Sequence, residues 1–226
     1  MTYEKSRERE ATFPEVGAAI AAAMGGGTPM DPGTTWGFTK VHDCSGILRR
    51  QDGVELTLWL DSHGGRIEAK PRPPALTTKG QPIMSLSDYG IIAHNVRPPQ
   101  TTVAFARDPK QAADQIARVV LAPYLPMYLE VLKRKAQIER KHRDAFILYR
   151  DLRDTLRLDP PGEDEGPGQD HHIFLYSAGG LSGDITVASY GNVEIKLRSL
   201  TARQARFMAE SIAFLAAGST KKKPKA

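Results

Sequence analysis

The closest grouping of side chains with catalytic potential is His42, Asp43 and Cys44. A cysteine nucleophile needs a base within hydrogen-bond reach and a further group that orients this base. Alternate residues of a strand share a face, so His42 and Cys44 could cooperate while Asp43 points away. A buried, inert thiol is nevertheless the favoured interpretation, because a free cysteine usually behaves as a small apolar side chain. We therefore predict that the protein is not an enzyme, with a Cys44-dependent activity as the alternative.

A second grouping, His171 and His172 with Asp170 or Glu165, has the residue types of a metal site. Neighbouring histidines on an extended chain diverge, however, and the sequence shows no second pair of ligands at metal spacing. The glycine-rich segment 179–183 joins two predicted strands, whereas a phosphate-binding loop precedes a helix. We predict neither a metal nor a cofactor.

The most basic stretch runs from Lys133 to Arg143 and, leaving His142 aside, holds six basic residues and one acidic residue. Farther on, Arg143, Arg150 and Arg157 recur every seven residues, which places them on one face of a helix. Such a face could lie along a phosphate backbone, and DNA is favoured over RNA as the partner. The predicted nucleic-acid-binding residues are Lys133, Arg134, Lys135, Arg140, Lys141, Arg143, Arg150, Arg153, Arg157, Lys221, Lys222 and Lys223.

Ion pairing within the helix would explain the same charges differently. Asp154 lies four residues after Arg150 and three before Arg157, at the spacing of helical ion pairs. In that interpretation the arginines belong to a solvated face without a ligand.

Two helices in series should carry these residues. The first is predicted from Asp108, an N-cap followed by Pro109, to about Leu121. Pro123 and Pro126 are expected to end it, since proline lacks a backbone donor and clashes with the preceding turn. The second helix is predicted from Pro126 to about Leu156.

The second helix has two apolar stripes, about 200° apart around its axis. The first is Leu125, Tyr128, Leu129 and Leu132, and the second is Ile138, Ala145, Tyr149, Leu152 and Leu156. Either the helix bends between Lys133 and Arg143, or its end packs on the C-terminal module or on a second copy. The second stripe is thus the predicted protein interface. A homo-oligomeric interaction or assembly module of phage or mobile-element origin, such as a homodimer, is the alternative to nucleic-acid binding.

The 226-residue chain has a formal net charge of +5, which favours an anionic partner. Its single cysteine excludes an intramolecular disulfide. The charged N-terminus does not resemble a secretory signal, and no apolar run approaches the roughly 20 residues that span a bilayer. We expect a cytoplasmic protein without membrane contact.

The predicted fold class is α+β, with antiparallel sheets covered by helices. A short helix over Pro14–Met24 should precede strands at Trp36–Lys40, Gly46–Arg49, Val54–Asp61, Arg66–Lys70, Gly90–Val96 and Thr101–Arg107. The exposed aromatic residues Trp36, Phe38 and Trp59 could stack on bases or cover the sheet. The predicted segments are 1–30, 31–107, 108–158, an acidic Pro/Gly linker 159–171, 172–218, and a basic disordered tail 219–226.

The region 172–218 is predicted to be a β-β-β-α unit. Its strands are His172–Tyr176, Asp184–Tyr190 and a third containing Val193, Ile195 and Leu197, and Gly191–Asn192 forms the turn. Thr201 and Gln204 should form a capping box for the helix, which Gly218 closes. The expected buried helix face is Ala205, Met208, Ala209, Ile212 and Leu215, with Phe207 and Phe214 nearly opposite. The segment around Asp108 has a similar order of strand, helix cap and helix, which suggests a duplicated module.

Overall fold

The computed structural model describes residues 3–26, 34–77, 85–176, 182–198 and 200–219. The helices are α1 (Tyr3–Gly25), α2 (Pro109–Ile116), α3 (Ala122–Thr155) and α4 (Ala202–Ser219), and a π-helical turn, Ala117–Leu121, joins α2 to α3. The strands are β1 (Trp36–His42), β2 (Ser45–Arg50), β3 (Glu55–Asp61), β4 (Arg66–Arg72), β5 (Thr101–Ala104), β6 (His171–Tyr176), β7 (Ser182–Val187) and β8 (Val193–Arg198). Both sheets are antiparallel, so the α+β class is confirmed.

The chain forms two compact units. The first comprises residues 1–77 and 81–138, and the second comprises 78–80 and 139–226. The boundary between them falls inside α3, after Ile138, and not in the acidic segment 159–171.

The first unit is built on a five-stranded meander in the order β1-β2-β3-β4-β5. Leu56, Leu58 and Leu60 alternate along β3 and are fully buried, as the period-two pattern of a half-buried strand requires. A turn joins β3 to β4, and Gly65 adopts a positive φ of 64° there. Residues of α1, α2 and the start of α3 complete this core.

Helix α1 begins eleven residues before the predicted Pro14, so the predicted start was wrong. Its charged first half is hydrogen-bonded to the β3–β4 turn. The Ser6 hydroxyl donates to Ser62 Oγ at 2.8 Å, and Arg9 Nη1 donates to the Ser62 carbonyl at 2.8 Å. Phe13 is completely buried. Contacts distant in sequence therefore stabilise a segment whose own pattern is too polar to indicate an amphipathic helix.

The predicted break at Pro123 and Pro126 is also wrong, because the helix continues through both prolines. Immediately before them the chain widens into the π turn, in which the Ala122 N–H donates to the Ala117 carbonyl five residues back. A π turn displaces the carbonyl of Val119, with which the Pro123 ring would otherwise clash. One 47-residue helical run, residues 109–155, results. Its start is as predicted: Asp108 Oδ1 accepts from the Gln111 N–H at 3.1 Å.

The segment predicted as a strand at Gly90–Val96 consists of turns and bends. Gly90 has a positive φ of 65°. The carbonyl groups of Tyr89 and Gly90 accept from Arg134 Nη1 of α3, at 2.9 and 3.0 Å. A side chain, not a neighbouring strand, thus satisfies this backbone.

The second unit is built on a three-stranded sheet in the order β6-β7-β8. Ile173, Ile185 and Val187 form its core with Ala145 and Tyr149 of α3. The predicted capping box of α4 is present: the Thr201 N–H donates to Gln204 Oε1 at 2.8 Å, and the Gln204 N–H donates to Thr201 Oγ1 at 3.3 Å. The helix runs through Gly218 to Ser219.

The packing of α4 differs from the prediction. Of its expected buried face, Ala205 and Ala209 are exposed, Met208 is half-buried and Ile212 is 61% exposed. Phe207, expected on the outside, is 67% exposed. Within the described part of the second unit, no element covers this helix as the sequence pattern requires.

Candidate functional site

A buried polar cluster in the second unit joins the end of α3 to the acidic segment 159–170. The Tyr149 hydroxyl donates to Glu165 Oε2 at 2.5 Å and accepts from Arg153 Nη1 at 2.8 Å. The ring of His171 stacks on the ring of Tyr149, with centroids 4.3 Å apart, and its Nδ1 lies 3.9 Å from Glu165 Oε2. The predicted free linker is therefore bonded into the unit.

Other contacts hold the same segment. Arg153 Nε donates to the Asp159 carbonyl at 2.6 Å, and the Ser189 N–H donates to Asp170 Oδ1 at 2.8 Å. Asp170 and Glu165, considered above as metal ligands, instead accept hydrogen bonds from the protein. Among the described residues, no group of three or more His, Cys, Asp or Glu side chains is placed to hold a metal ion.

Burial controls the electrostatics of this cluster. It lowers the pKa of His171 below its ordinary value, and the carboxylate of Glu165 opposes that shift. Burial also raises the pKa of Tyr149, and its hydrogen bond to Glu165 raises it further. His171 is buried and faces a tyrosine ring and a carboxylate. The cluster thus bonds the acidic segment to the end of α3 within the second unit.

The Cys44 grouping lacks an activated thiol. The Cys44 Sγ–H donates to Glu10 Oε1 at 3.7 Å. Burial raises the pKa of the Cys44 thiol, and the carboxylates of Glu10 and Asp43 raise it further. A nucleophilic cysteine requires the opposite shift, toward thiolate.

The three aromatic residues proposed for base stacking occupy different environments. Trp36 is buried, and Phe38 is half-buried with its ring 5.6 Å from that of Phe13 in an edge-on contact. Trp59 alone is half-exposed, on the polar face of β3 opposite Glu68 of β4. A stacking platform of several rings is therefore not assembled by the first sheet.

The predicted nucleic-acid-binding residues separate into structural and exposed groups. Arg134 holds the 85–92 turns and contacts Glu130 at 3.3 Å, and Arg153 belongs to the Tyr149 cluster. Lys133 and Arg140 are exposed, with acidic oxygens at 3.8 Å in each case. Lys135 is half-buried, and Lys221, Lys222 and Lys223 lie outside the described residues.

Four exposed arginines of the second unit form what we call the basic row: Arg140, Arg143 and Arg150 of α3, and Arg157 just beyond its end. The last three are seven residues apart, and none of these three forms an ion pair with a described residue, even though Asp154 lies between Arg150 and Arg157. Arg157 follows the helix end with a positive φ of 56°. Lys141 is also exposed, but about 100° or more around the helix from the row.

The residues predicted to form a protein interface are mostly used within the chain. Ala145 and Tyr149 are buried in the second core, and Leu152 packs against it. Ile138 packs against the first core. Leu156 is exposed. In the first stripe, Leu129 is 62% exposed, whereas the neighbouring Tyr124 and Val131 are fully buried.

The sequence did contain the signal for this packing. Tyr124, Val131, Ile138, Ala145 and Leu152 recur every seven residues, and all are buried or half-buried. The two predicted stripes include only the last three members of this seven-residue repeat.

No protein-family model matches the chain, and neither a curated protein nor a solved structure is significantly similar to it. None of the described helices is both long and apolar enough to cross a membrane.

Proposed function

We propose that this chain is a non-enzymatic accessory protein that binds nucleic acid, preferentially duplex DNA, through its phosphates. The observation that carries the proposal is the basic row. Arg143, Arg150 and Arg157 are exposed and lack an ion pair with any described acidic residue. Arginine side chains held out in solvent on a helix are available for charge-assisted hydrogen bonds to phosphate oxygens.

The spread of the row favours a polyanion over a small anion. Arg143 and Arg150 are separated by about 10.5 Å of helical rise, since they are seven residues apart, and Arg157 lies beyond the helix end. A chain of phosphates matches such spacing, and each neutralised phosphate releases counterions, which supplies the binding free energy.

Fluorescence anisotropy with labelled duplex DNA, single-stranded DNA and RNA at several salt concentrations tests the proposal. The expected result is micromolar or tighter binding to duplex DNA that weakens steeply with salt. Replacing Arg143, Arg150 and Arg157 together by alanine should weaken binding about tenfold or more. The slope of log K against log salt should also become shallower by about 0.9 for each lost phosphate contact.

The matched control replaces Arg66, Arg97 and Arg118 by alanine, because these residues are exposed and carry the same total charge. This variant should bind nearly as the unaltered protein does. No binding at low salt would refute the proposal. An equal loss in both triple variants would show that only the net charge matters and that the basic row is not a site.

A further inference from the structure

We propose that two copies of this chain associate by antiparallel pairing of β8 with β8 of the second copy, across a two-fold axis at Ile195. This surface is distinct from the basic row, and the inference does not depend on nucleic-acid binding. It concerns an interface that the sequence pattern of the long helix did not indicate.

Strand β8 is an edge of the second sheet. The order β6-β7-β8 leaves one side of β8 without a neighbouring strand among the described residues. Its pairing with β7 is regular from Val193 to Arg198, with no bulge, and the strand contains no proline. Bulges and prolines are the usual features that prevent an edge strand from pairing with another chain.

The apolar side of β8 is uncovered. Ile195 lies opposite Ile185 and Val193 lies opposite Val187. The side chains of Ile195 and Val193 are therefore on the same face of the sheet as those two β7 residues. Ile185 and Val187 are buried, yet Ile195 is 52% exposed and Val193 is also exposed. The apolar face of the sheet thus extends beyond what α3 covers.

The backbone groups at the free edge have a defined pattern. The Ala188 N–H donates to the Asn192 carbonyl at 2.8 Å, which closes the β7–β8 hairpin. Since antiparallel hydrogen-bonded pairs alternate, Glu194 and Lys196 then bond toward β7. The N–H and C=O groups of Val193, Ile195 and Leu197 point to the open edge.

The sequence of β8 is complementary to itself in one register. With Ile195 opposite Ile195 of the second copy, Val193 faces Leu197, and Glu194 faces Lys196. Apolar residues then meet apolar residues, and opposite charges meet at two symmetric places. Centring the pairing on Glu194 or on Lys196 would place like charges opposite one another. Shifting the register by one residue would place Ile195 opposite a charged residue.

The start of α4 adds apolar surface beside the same strand. Leu200, Phe207 and Met208 line an apolar groove with Leu197 of β8. An isologous interface buries the same residues of both copies, so an exposed apolar side chain near the axis becomes buried in each of the two chains. A six-stranded sheet across the axis would also satisfy the open backbone groups of both edges.

Glu194 and Lys196 already contact one another within one strand, at 3.2 Å, so a charge-reversal experiment needs a reciprocal design. Sedimentation velocity of the full chain over a range of concentrations gives the dimer dissociation constant. Lys196→Glu and Glu194→Lys should each raise that constant about tenfold or more, since each places like charges opposite one another at both symmetric sites.

Mixing the two single variants is the decisive experiment. One variant then carries Glu at positions 194 and 196 and the other carries Lys at both, so a heterodimer should form with about the affinity of the unaltered protein. The double variant, Glu194→Lys with Lys196→Glu, should self-associate again. Damage to the fold of β8 cannot be repaired by mixing. Lys133→Glu, with the same charge change on α3, serves as the matched control and should leave the dissociation constant unchanged.

Three outcomes would overturn the inference: an unaltered protein that stays monomeric to about 100 µM, a dimer insensitive to both single variants, or single variants that fail to associate on mixing. If the unaltered chain is monomeric but captures an extended peptide at β8, the edge serves a different protein and the second copy is excluded as its occupant.

Discussion

The two units bury their sheets to very different extents. Among the described residues, the core of the first unit contains twenty-four buried apolar side chains, and that of the second contains five. The first sheet is covered by residues of α1, α2 and α3, whereas the apolar face of the second continues uncovered onto β8. Among the described residues, the first unit therefore buries the apolar face of its sheet within itself, whereas that of the second unit stays partly exposed.

Helices that follow the two sheets show the same contrast. Both start at a well-formed cap, Asp108 for α2 and Thr201 for α4. Ala112, Ala113 and Ile116 of α2 are buried, but the side chains described for α4 are exposed or half-buried. Similar local signals therefore lead to different packing. The proposed duplication does not extend to the packing of these helices.

Leu58→Ala should have the largest effect on stability. Leu58 is completely buried in β3, and removing its methyl groups leaves a cavity that costs about 2–5 kcal/mol of unfolding free energy. Chemical denaturation measures this loss. The paired variant Ile195→Ala, studied at concentrations where the chain is monomeric, should cost less than about 0.5 kcal/mol. A similar loss in both variants would contradict the difference between the two units.

Tyr149→Phe should destabilise the second unit by about 1–2 kcal/mol, because Glu165 and Arg153 each lose a hydrogen-bond partner. Hydrogen exchange of β6 and β7 amides would locate the loss in that unit. Tyr190→Phe is the control, since its ring is largely exposed and its hydroxyl makes no hydrogen bond to a described residue. Equal protection in both variants would show that the cluster is not stabilising.

The second unit should lose stability in mild acid. Burial lowers the pKa of His171 and of His142, while Glu165 and Glu139, respectively, oppose the shifts. The unfolded chain binds protons at the ordinary histidine pKa of about 6.5, so this contribution is complete above that pH. It is lost as the pH falls through the lower folded-state values. Thermal unfolding between pH 7.5 and 5 measures it, and His171→Phe should flatten the dependence.

Removing the helix caps should give the smallest effects on stability. The two losses should differ in whether they affect the whole unit or a single helix. Asp108→Ala and Thr201→Ala each remove a side-chain acceptor for a helix N-terminal N–H, which costs about 1 kcal/mol. Since α2 is part of the first core, the loss at Asp108 should appear in global unfolding. The loss at Thr201 should appear only as faster hydrogen exchange in α4. Global destabilisation by Thr201→Ala would show that α4 is integrated into a core.

Several features that depend on neighbours in sequence were predicted. The alternation of β3, the cap at Asp108 and the Thr201–Gln204 capping box follow from residue type and short spacing. Such features need no distant partner, because side chain and backbone group are only a few residues apart. The α+β class follows from the same local patterns.

Tertiary structure decided what remained. The contact with Ser62 explains why the polar start of α1 is helical, and the π turn explains how the helix passes Pro123. The sequence alone determined the positions of the basic row and of the alternating residues of β8. Which of those charges lack an acidic neighbour, and which apolar face lacks cover, depends on groups far apart in the chain. Burial is a property of the packed molecule, and a residue's own type and spacing do not specify what lies against it.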